Sequence, residues 1–310
     1  MTSWQFREVP FKFQLSDWTL FSVTRFLQVR SETMLDGTSP VHNPMPASDA
    51  LEARSQGFSV HALPVTAKLP TVSSVDGYLR YVALQYRHCY INLGLSFDDY
   101  QKKFSSKTRS TIIRKIKKFA EHCGGSLAWK TYRTQPEMRE FFQCARTISR
   151  KTYQERLLDA GIPDSEEFVG EMEALAAEDR VRAYVLFDGD RPVSYLYCPA
   201  RDDVLVYAYL GYDPDYMKMS VGTVLQWLAV EQLFAEARFR FFDFTEGESE
   251  HKRLFATDDV LCANIFFLRR NFGNIVLIHA HLFMGQFSRR LGDVLENFGV
   301  KAKIKRLLRF

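Results

Sequence analysis

The chain has 310 residues, 46% of them apolar and 25% charged, with a formal net charge of +4. That balance belongs to a globular protein able to bury a sizeable core in one large or two modest domains. The mild positive charge admits an anionic ligand without demanding nucleic acid, so no DNA partner is expected. Met1 to Glu8 hold no basic segment leading into an apolar one, and no stretch reaches the roughly 18 apolar residues of a membrane span. The five cysteines, Cys89, Cys123, Cys144, Cys198 and Cys262, are scattered and form no CxxC pair. Together these features predict a cytoplasmic chain with reduced thiols and no metal site.

Residues 10–32 read as extended, through Phe11, Phe13, Leu15, Phe21 and Val23. Residues 33–56, with Gly37, Pro40, Pro44 and Pro46, read as a loop. Strands are predicted over 58–65 and 80–94. From Ser105 onward, Ile112, Ile113, Ile116, Phe119 and Ala120 recur at helical spacing until Cys123-Gly124-Gly125 stops them. Between residues 102 and 118 stand eight Lys or Arg and no acid, a basic face for solvent, phosphate or RNA.

A strand at 127–132 and a helix from Pro136 to Leu158 follow, then an acidic helix over 165–178. Val181–Phe187 and Pro192–Cys198 form a hairpin about Asp188-Gly189-Asp190-Arg191. A strand at 204–210, a loop at 213–219, a helix at 222–237 and strands at 239–244 and 261–268 complete the pattern, with a basic C-terminal helix from about His281.

The chemistry concentrates at the start of the 222–237 helix. Free backbone N–H groups and the positive end of a helix dipole make an anion site, Gly222 lets an oxyanion approach, and Ser220 is able to cap the helix or bind phosphate. Taken alone, these residues are better explained as an ordinary capped helix.

Three stretches, in order, set a context for that helix. They are Phe104–Ser110 with Arg114 and Lys115, then Leu210-Gly211-Tyr212-Asp213-Pro214 leading to Ser220–Leu225, then Phe242–Glu248 leading to His251-Lys252-Arg253. Over about residues 97–260 the chain resembles the GNAT acyltransferase superfamily, and within it the BioF2-like or CelD-like branch, related to Fem-type aminoacyl-transferases. The resemblance implies an α+β fold with a splayed, mixed, mostly antiparallel sheet flanked by helices. Residues 97–310 would form the acyltransferase domain, and residues 1–96 a strand-rich region, either a degenerate GNAT-like half or a lid.

The resemblance also implies acetyl-CoA or another acyl-CoA as co-substrate, held by Leu210, Lys218, Ser220, Val221, Gly222, Thr223 and Val224. The superfamily's phosphate loop usually carries two glycines, whereas only Gly222 is present here, with Ser220 where the first glycine often stands. Asp243, Glu246 and Glu248 are candidate bases, and Tyr212 a proton donor to the leaving thiolate. Tyr209, Lys252 and Glu250 are assigned to the acceptor, a small molecule. No nucleophile motif is present, so direct attack by the acceptor is expected. Two other readings stay open. One is an aminoacyl-tRNA-dependent, Fem-like transferase using the basic segments. The other is a non-catalytic scaffold touching a partner or a membrane through Ile304, Leu307, Leu308, Phe310 and the cations among them.

Overall fold

The computed structural model describes residues 4–15, 18–31, 52, 54–152, 161–247 and 249–297, without the side chains of 289 and 292–297. Glu248, most of the 33–56 loop and the basic tail 301–309 lie outside the described residues. The strands are β1 (Gln5–Leu15), β2 (Trp18–Ser31), β3 (Gly57–Pro64), β4 (Val72–Val75), β5 (Tyr78–Asn92), β6 (Ala128–Tyr132), β7 (Val181–Asp188), β8 (Arg191–Arg201), β9 (Val204–Val206), β10 (Tyr209–Tyr212), β11 (Phe241–Asp243) and β12 (Asp258–Arg269). The helices are α1 (Phe97–Lys102), α2 (Ser106–His122), α3 (Glu137–Ser149), α4 (Glu166–Ala177), α5 (Val221–Glu236), α6 (Glu250–Phe255) and α7 (Phe272–Asn297). The expected α+β architecture, an open mixed sheet flanked by helices, is observed.

The chain divides into two compact units, one running to His88 and resuming at Val260, the other spanning Cys89–Asp259. In the first unit, β1 pairs antiparallel with β2, β2 parallel with β3, β3 antiparallel with β12, and β4 antiparallel with β5. Leu277 and Ile278 of α7 pack against Phe11, Phe13, Leu27, Tyr81 and Leu268. Helix α7 begins at Phe272, nine residues before the sequence suggests, because the Asn271 side chain accepts the Asn274 N–H at 2.8 Å and caps it.

In the second unit the sheet runs from the end of β5 through β11, β9, β8, β7 and β6. Its two faces follow from the period of two along β7. Tyr184 and Leu186 point into one core with Ile112 and Phe119 of α2 and the body of α5. Val181, Ala183 and Val185 point into the other, with Met138, Phe141 and Ala145 of α3 and Val169 and Met172 of α4. Helix α5 is buried on nearly all sides, from Val221 and Val224 to Leu233 and Phe234, which suits an apolar helix.

Several expected boundaries shift. The described part of the 136–158 helix ends at Ser149, and residues 153–160 lie outside the description. The 239–244 strand shrinks to Phe241–Asp243, and the unforeseen α6 starts where Ser249 Oγ accepts the Lys252 N–H at 3.1 Å. The 213–219 loop is a 3-10 helix over Pro214–Met219. Its entry is set by Pro214 and by Asp213, whose side chain accepts the Asp215 N–H at 3.2 Å.

Asp213 is 1% exposed. Its Oδ2 accepts from Lys151 Nζ at 2.8 Å and from an Arg191 guanidinium nitrogen at 2.7 Å. Burial pushes its pKa up, but the hydrogen bonds from Lys151 and Arg191 outweigh that and hold the carboxyl below its usual value. A depressed carboxyl stabilises the fold at neutral pH and loses that contribution as the pH falls through its folded-state pKa. Asp213→Asn is expected to cost roughly 2–3 kcal/mol at pH 7, read from the urea midpoint. It should also flatten the acid limb of the stability–pH curve; an unchanged limb would exclude the pairing as its source.

Candidate functional site

One strand builds the site by changing partners. Val204–Val206 of β9 is paired on both sides: Val204 and Leu205 face Arg201 and Ala200 of β8, and the whole stretch runs parallel with Phe241–Asp243 of β11. The last link to β11 is Tyr207 N–H to Asp243 O at 2.8 Å. Ala208 N–H then turns to Tyr197 O at 3.2 Å, and β10 pairs with β8 alone. The predicted 204–210 strand is therefore two strands divided at Tyr207-Ala208.

Beyond the division the sheet opens. Asp213 N–H donates to Val193 O at 2.9 Å, so by antiparallel alternation Gly211 faces β8 while Leu210 and Tyr212 turn their backbone groups outward. On that side β11 has already stopped. Asp243 Oδ1 accepts the Thr245 N–H at 2.7 Å, and Thr245 sits at φ +61°, so the chain leaves the sheet. Gly211 is required for close packing, since a Cβ there would lie 2.3 Å from the Tyr195 ring.

Two cavities occupy the opening. One, of about 260 Å³, is lined by Tyr207, Leu210, Tyr212, Met217, residues 220–223 and His251. The other, of about 340 Å³, is lined by Thr152, Gly161, Tyr195, residues 207–210, Thr245 and Lys252. Tyr207 and Leu210 belong to both and form the wall between them. A separate depression of about 490 Å³ near Thr131 and Arg133 offers less chemistry, because its Arg182 is bound by Glu236 and its Gln232 by Thr131.

At the first cavity, Ser220 adopts the left-handed conformation (φ +54°, ψ +37°), ending the 3-10 helix and starting α5. Its hydroxyl makes no capping bond, contrary to one expected use of it. Ser220 N–H donates to Met217 O at 3.1 Å, while Thr223 and Val224 N–H donate to Ser220 O at 2.9 and 3.1 Å. Among the described residues, this leaves only the N–H groups of Val221 and Gly222 unbonded at the helix start. Val224 is fully buried and turned into the core. A Cβ on Gly222 would meet Leu210 and Tyr212 side chains at 3.4 and 3.5 Å, so glycine here keeps the cavity open.

Positive charge reaches this loop from another element. Lys118 of α2 donates to the Lys218 carbonyl at 3.4 Å, whereas the Lys218 side chain itself is exposed and outside the cavity lining. His251 bonds through Nε2 to Gln226, a fully buried residue of α5, and its Nδ1 has no hydrogen-bond partner among the described residues. Burial, and then the charge of Lys115, hold the imidazole below its usual pKa and therefore neutral near pH 7.

At the second cavity, Lys252 Nζ donates to the carbonyl of Glu246 at 2.6 Å and reaches that of Thr245 at 3.5 Å. Burial lowers its pKa, and Asp243 acts in the opposite sense. Burial, reinforced by Cys198 and Tyr195, raises the Tyr207 phenol. Tyr209 lines the cavity and packs on Phe168. Glu246 and Glu250 are exposed and line neither cavity, and Tyr212 lies on the Gly222 side. Asp243 is half-buried, and its carboxylate bonds the turn it ends on. Tyr207, His251, Gln226 and Lys118 were not assigned roles by sequence reasoning. The tyrosine stood within the strand motif, but nothing in the sequence signals that it faces two cavities.

Residues 106–253 match the family model described as acetyltransferase (GNAT) domain. This segment is similar to a GNAT acetyltransferase domain, and the open α+β sheet around it agrees with a GNAT fold. No curated protein matches the sequence. Among solved structures, FemX is similar with 10% identity over 90% of this chain and 91% of that one, at a TM-score of 0.49. L-PGS from Bacillus licheniformis is similar with 13% identity over 73% and 72%, at 0.44. An aminoglycoside acetyltransferase from an uncultured soil metagenomic sample is similar with 15% identity over 40% and 78%, at 0.30. Likenesses of this size carry no argument about substrate.

The left-handed serine makes a prediction of its own. Ser220→Gly is expected to raise stability by about 0.5 kcal/mol, with relief of the φ strain exceeding the added chain entropy. A lowered urea midpoint would show that the hydroxyl does hold the loop.

Proposed function

We propose that this protein moves an acetyl or longer acyl group from an acyl-CoA directly to an amine or hydroxyl of a small metabolite, sugar or amino acid, as expected of the BioF2-like or CelD-like branch. One observation carries the reading: two cavities meet at Tyr207 and Leu210, with a helix start on one side and Lys252 on the other.

The residues present fit a CoA thioester, which when bound supplies an activated acyl group. The Val221 and Gly222 N–H groups, at the positive end of α5, suit a pyrophosphate, and Lys118 adds charge beside them. The outward backbone of Leu210 suits the amides of a pantetheine arm, bound as an added strand would be. Tyr207 and Leu210 then mark where donor and acceptor meet. Lys252 and Thr245 position the acceptor, and Asp243 sets the turn that presents them. His251, whose Nε2–H is given to Gln226 Oε1, presents a bare Nδ1 that takes a proton on the donor side.

Thermal shift with acetyl-CoA and longer acyl-CoAs tests the reading. A ligand at 100 times its Kd is expected to stabilise by about 2.7 kcal/mol. Gly222→Asp should abolish the shift, because it adds bulk and negative charge at the anion site. Failure of every acyl-CoA to stabilise the wild type would sink the proposal. Lys252→Met is expected to keep the shift while lowering turnover roughly 100-fold through lost acceptor positioning. Loss of the shift as well would place Lys252 with the donor instead.

If His251 acts as the neutral imidazole, kcat falls as the pH drops below the usual imidazole range, and His251→Gln removes that limb. A limb that persists in His251→Gln assigns it to another group.

A second reading has one observation in its favour. Arg114, Lys117 and Lys118 of α2 surround a shallow depression of about 550 Å³, a basic surface suited to an aminoacyl-tRNA donor. Transfer RNA binding that weakens steeply with salt supports it, and its absence at low salt removes it.

A further inference from the structure

Helix α7 has two apolar faces where one suffices for packing. Asn274, Leu277, Ile278, His281, Leu282 and Ser288 turn toward the first unit and are buried or half-buried. On the opposite side, Phe272, Val276, Phe283 and Phe287 recur at intervals of four, seven and four residues, the spacing of a single helical stripe. They are 81%, 49%, 69% and 48% exposed. The Phe283 and Phe287 rings lie nearly parallel with centroids 6.4 Å apart. A patch of this kind is unusual on a surface that only meets water.

The charges around it select the occupant. No Asp, Glu, Lys or Arg occurs from Asn271 to Ser288. Exposed Arg269 and Arg270 precede the stripe, and exposed Arg290, eighteen residues after Phe272 and so on the same side, closes it. From Val260 to Gly292 the sequence holds no acidic residue at all. A second copy would fit poorly. Pairing two such helices antiparallel sets Arg269 and Arg270 against Arg290, and pairing them parallel sets each arginine against its own counterpart. Either arrangement brings like charges together. A surface of anionic headgroups over hydrocarbon accepts both the phenylalanines and the arginines that bracket them.

We infer that the exposed face of α7 is a docking surface for an anionic phospholipid membrane, with the helix lying in the interfacial plane. The stripe belongs wholly to the first unit and needs no assumption about the acyl donor.

Co-sedimentation of the full chain with vesicles of phosphatidylcholine and phosphatidylglycerol tests this. The wild type is expected to bind these vesicles, to bind pure phosphatidylcholine several-fold less, and to weaken in 0.5 M salt. Phe283→Gln with Phe287→Gln should lower binding at least tenfold, with the circular dichroism spectrum and Tm unchanged because both rings are exposed. Phe272→Gln with Val276→Gln, made separately, should do the same. Absence of vesicle binding at low salt overturns the inference. So does binding that survives both double variants, which would move the contact to the basic tail. A concentration-dependent dimer dissolved by the same variants would also overturn it, since the face would then join two copies of this chain.

Discussion

The candidate site depends on where one strand loses a neighbour. The chain from Val204 to Tyr212 is bonded on both sides up to Tyr207, whose N–H makes the last link to Asp243. Past that point β11 has turned away through the Asp243–Thr245 bond, while β10 continues along β8. A sheet that stayed closed would have satisfied the outward backbone of Leu210 and Tyr212 internally and left no cleft. The opening leaves polar backbone beside two cavities, with a shared wall of Tyr207 and Leu210.

The loop that follows is held as firmly as the strand is released. Buried Asp213 gathers Lys151 and Arg191 and starts the 3-10 helix that carries the chain to Ser220. Ser220 then takes a conformation that glycine adopts more easily, and its carbonyl accepts the Thr223 and Val224 N–H groups. The helix start is thereby reduced to two free donors, Val221 and Gly222. An ion-paired anchor, a strained residue and a short row of donors hold this helix start in one fixed place.

Much of the fold was legible in the residues. The β7–β8 hairpin stood out through its Asp188–Arg191 turn, and α2 through its apolar period and the glycines that stop it. The helix start at Ser220 was legible as well, because serine, glycine and threonine before an apolar run mark a helix N-terminus. Residue type alone did not show where the carboxylates stand. Glu246, a candidate base, and Glu250, assigned to the acceptor, both face solvent and line neither cavity. His251 drew no role because a lone histidine has no pattern. Its significance comes from Gln226, twenty-five residues away and on another helix.

The sequence by itself determined the alternation of strands and helices and the helix start near Gly222, because these rest on local periodicity and capping chemistry. Only the tertiary structure decided that the 204–212 strand divides at Tyr207, that Lys252 and Gly222 stand on opposite sides of one wall, and that α7 packs on β1 with a second apolar face outward. Each of those depends on which segments distant in the chain become neighbours. Pairing partners and burial are settled by packing across the whole unit, and no local pattern of residues encodes them.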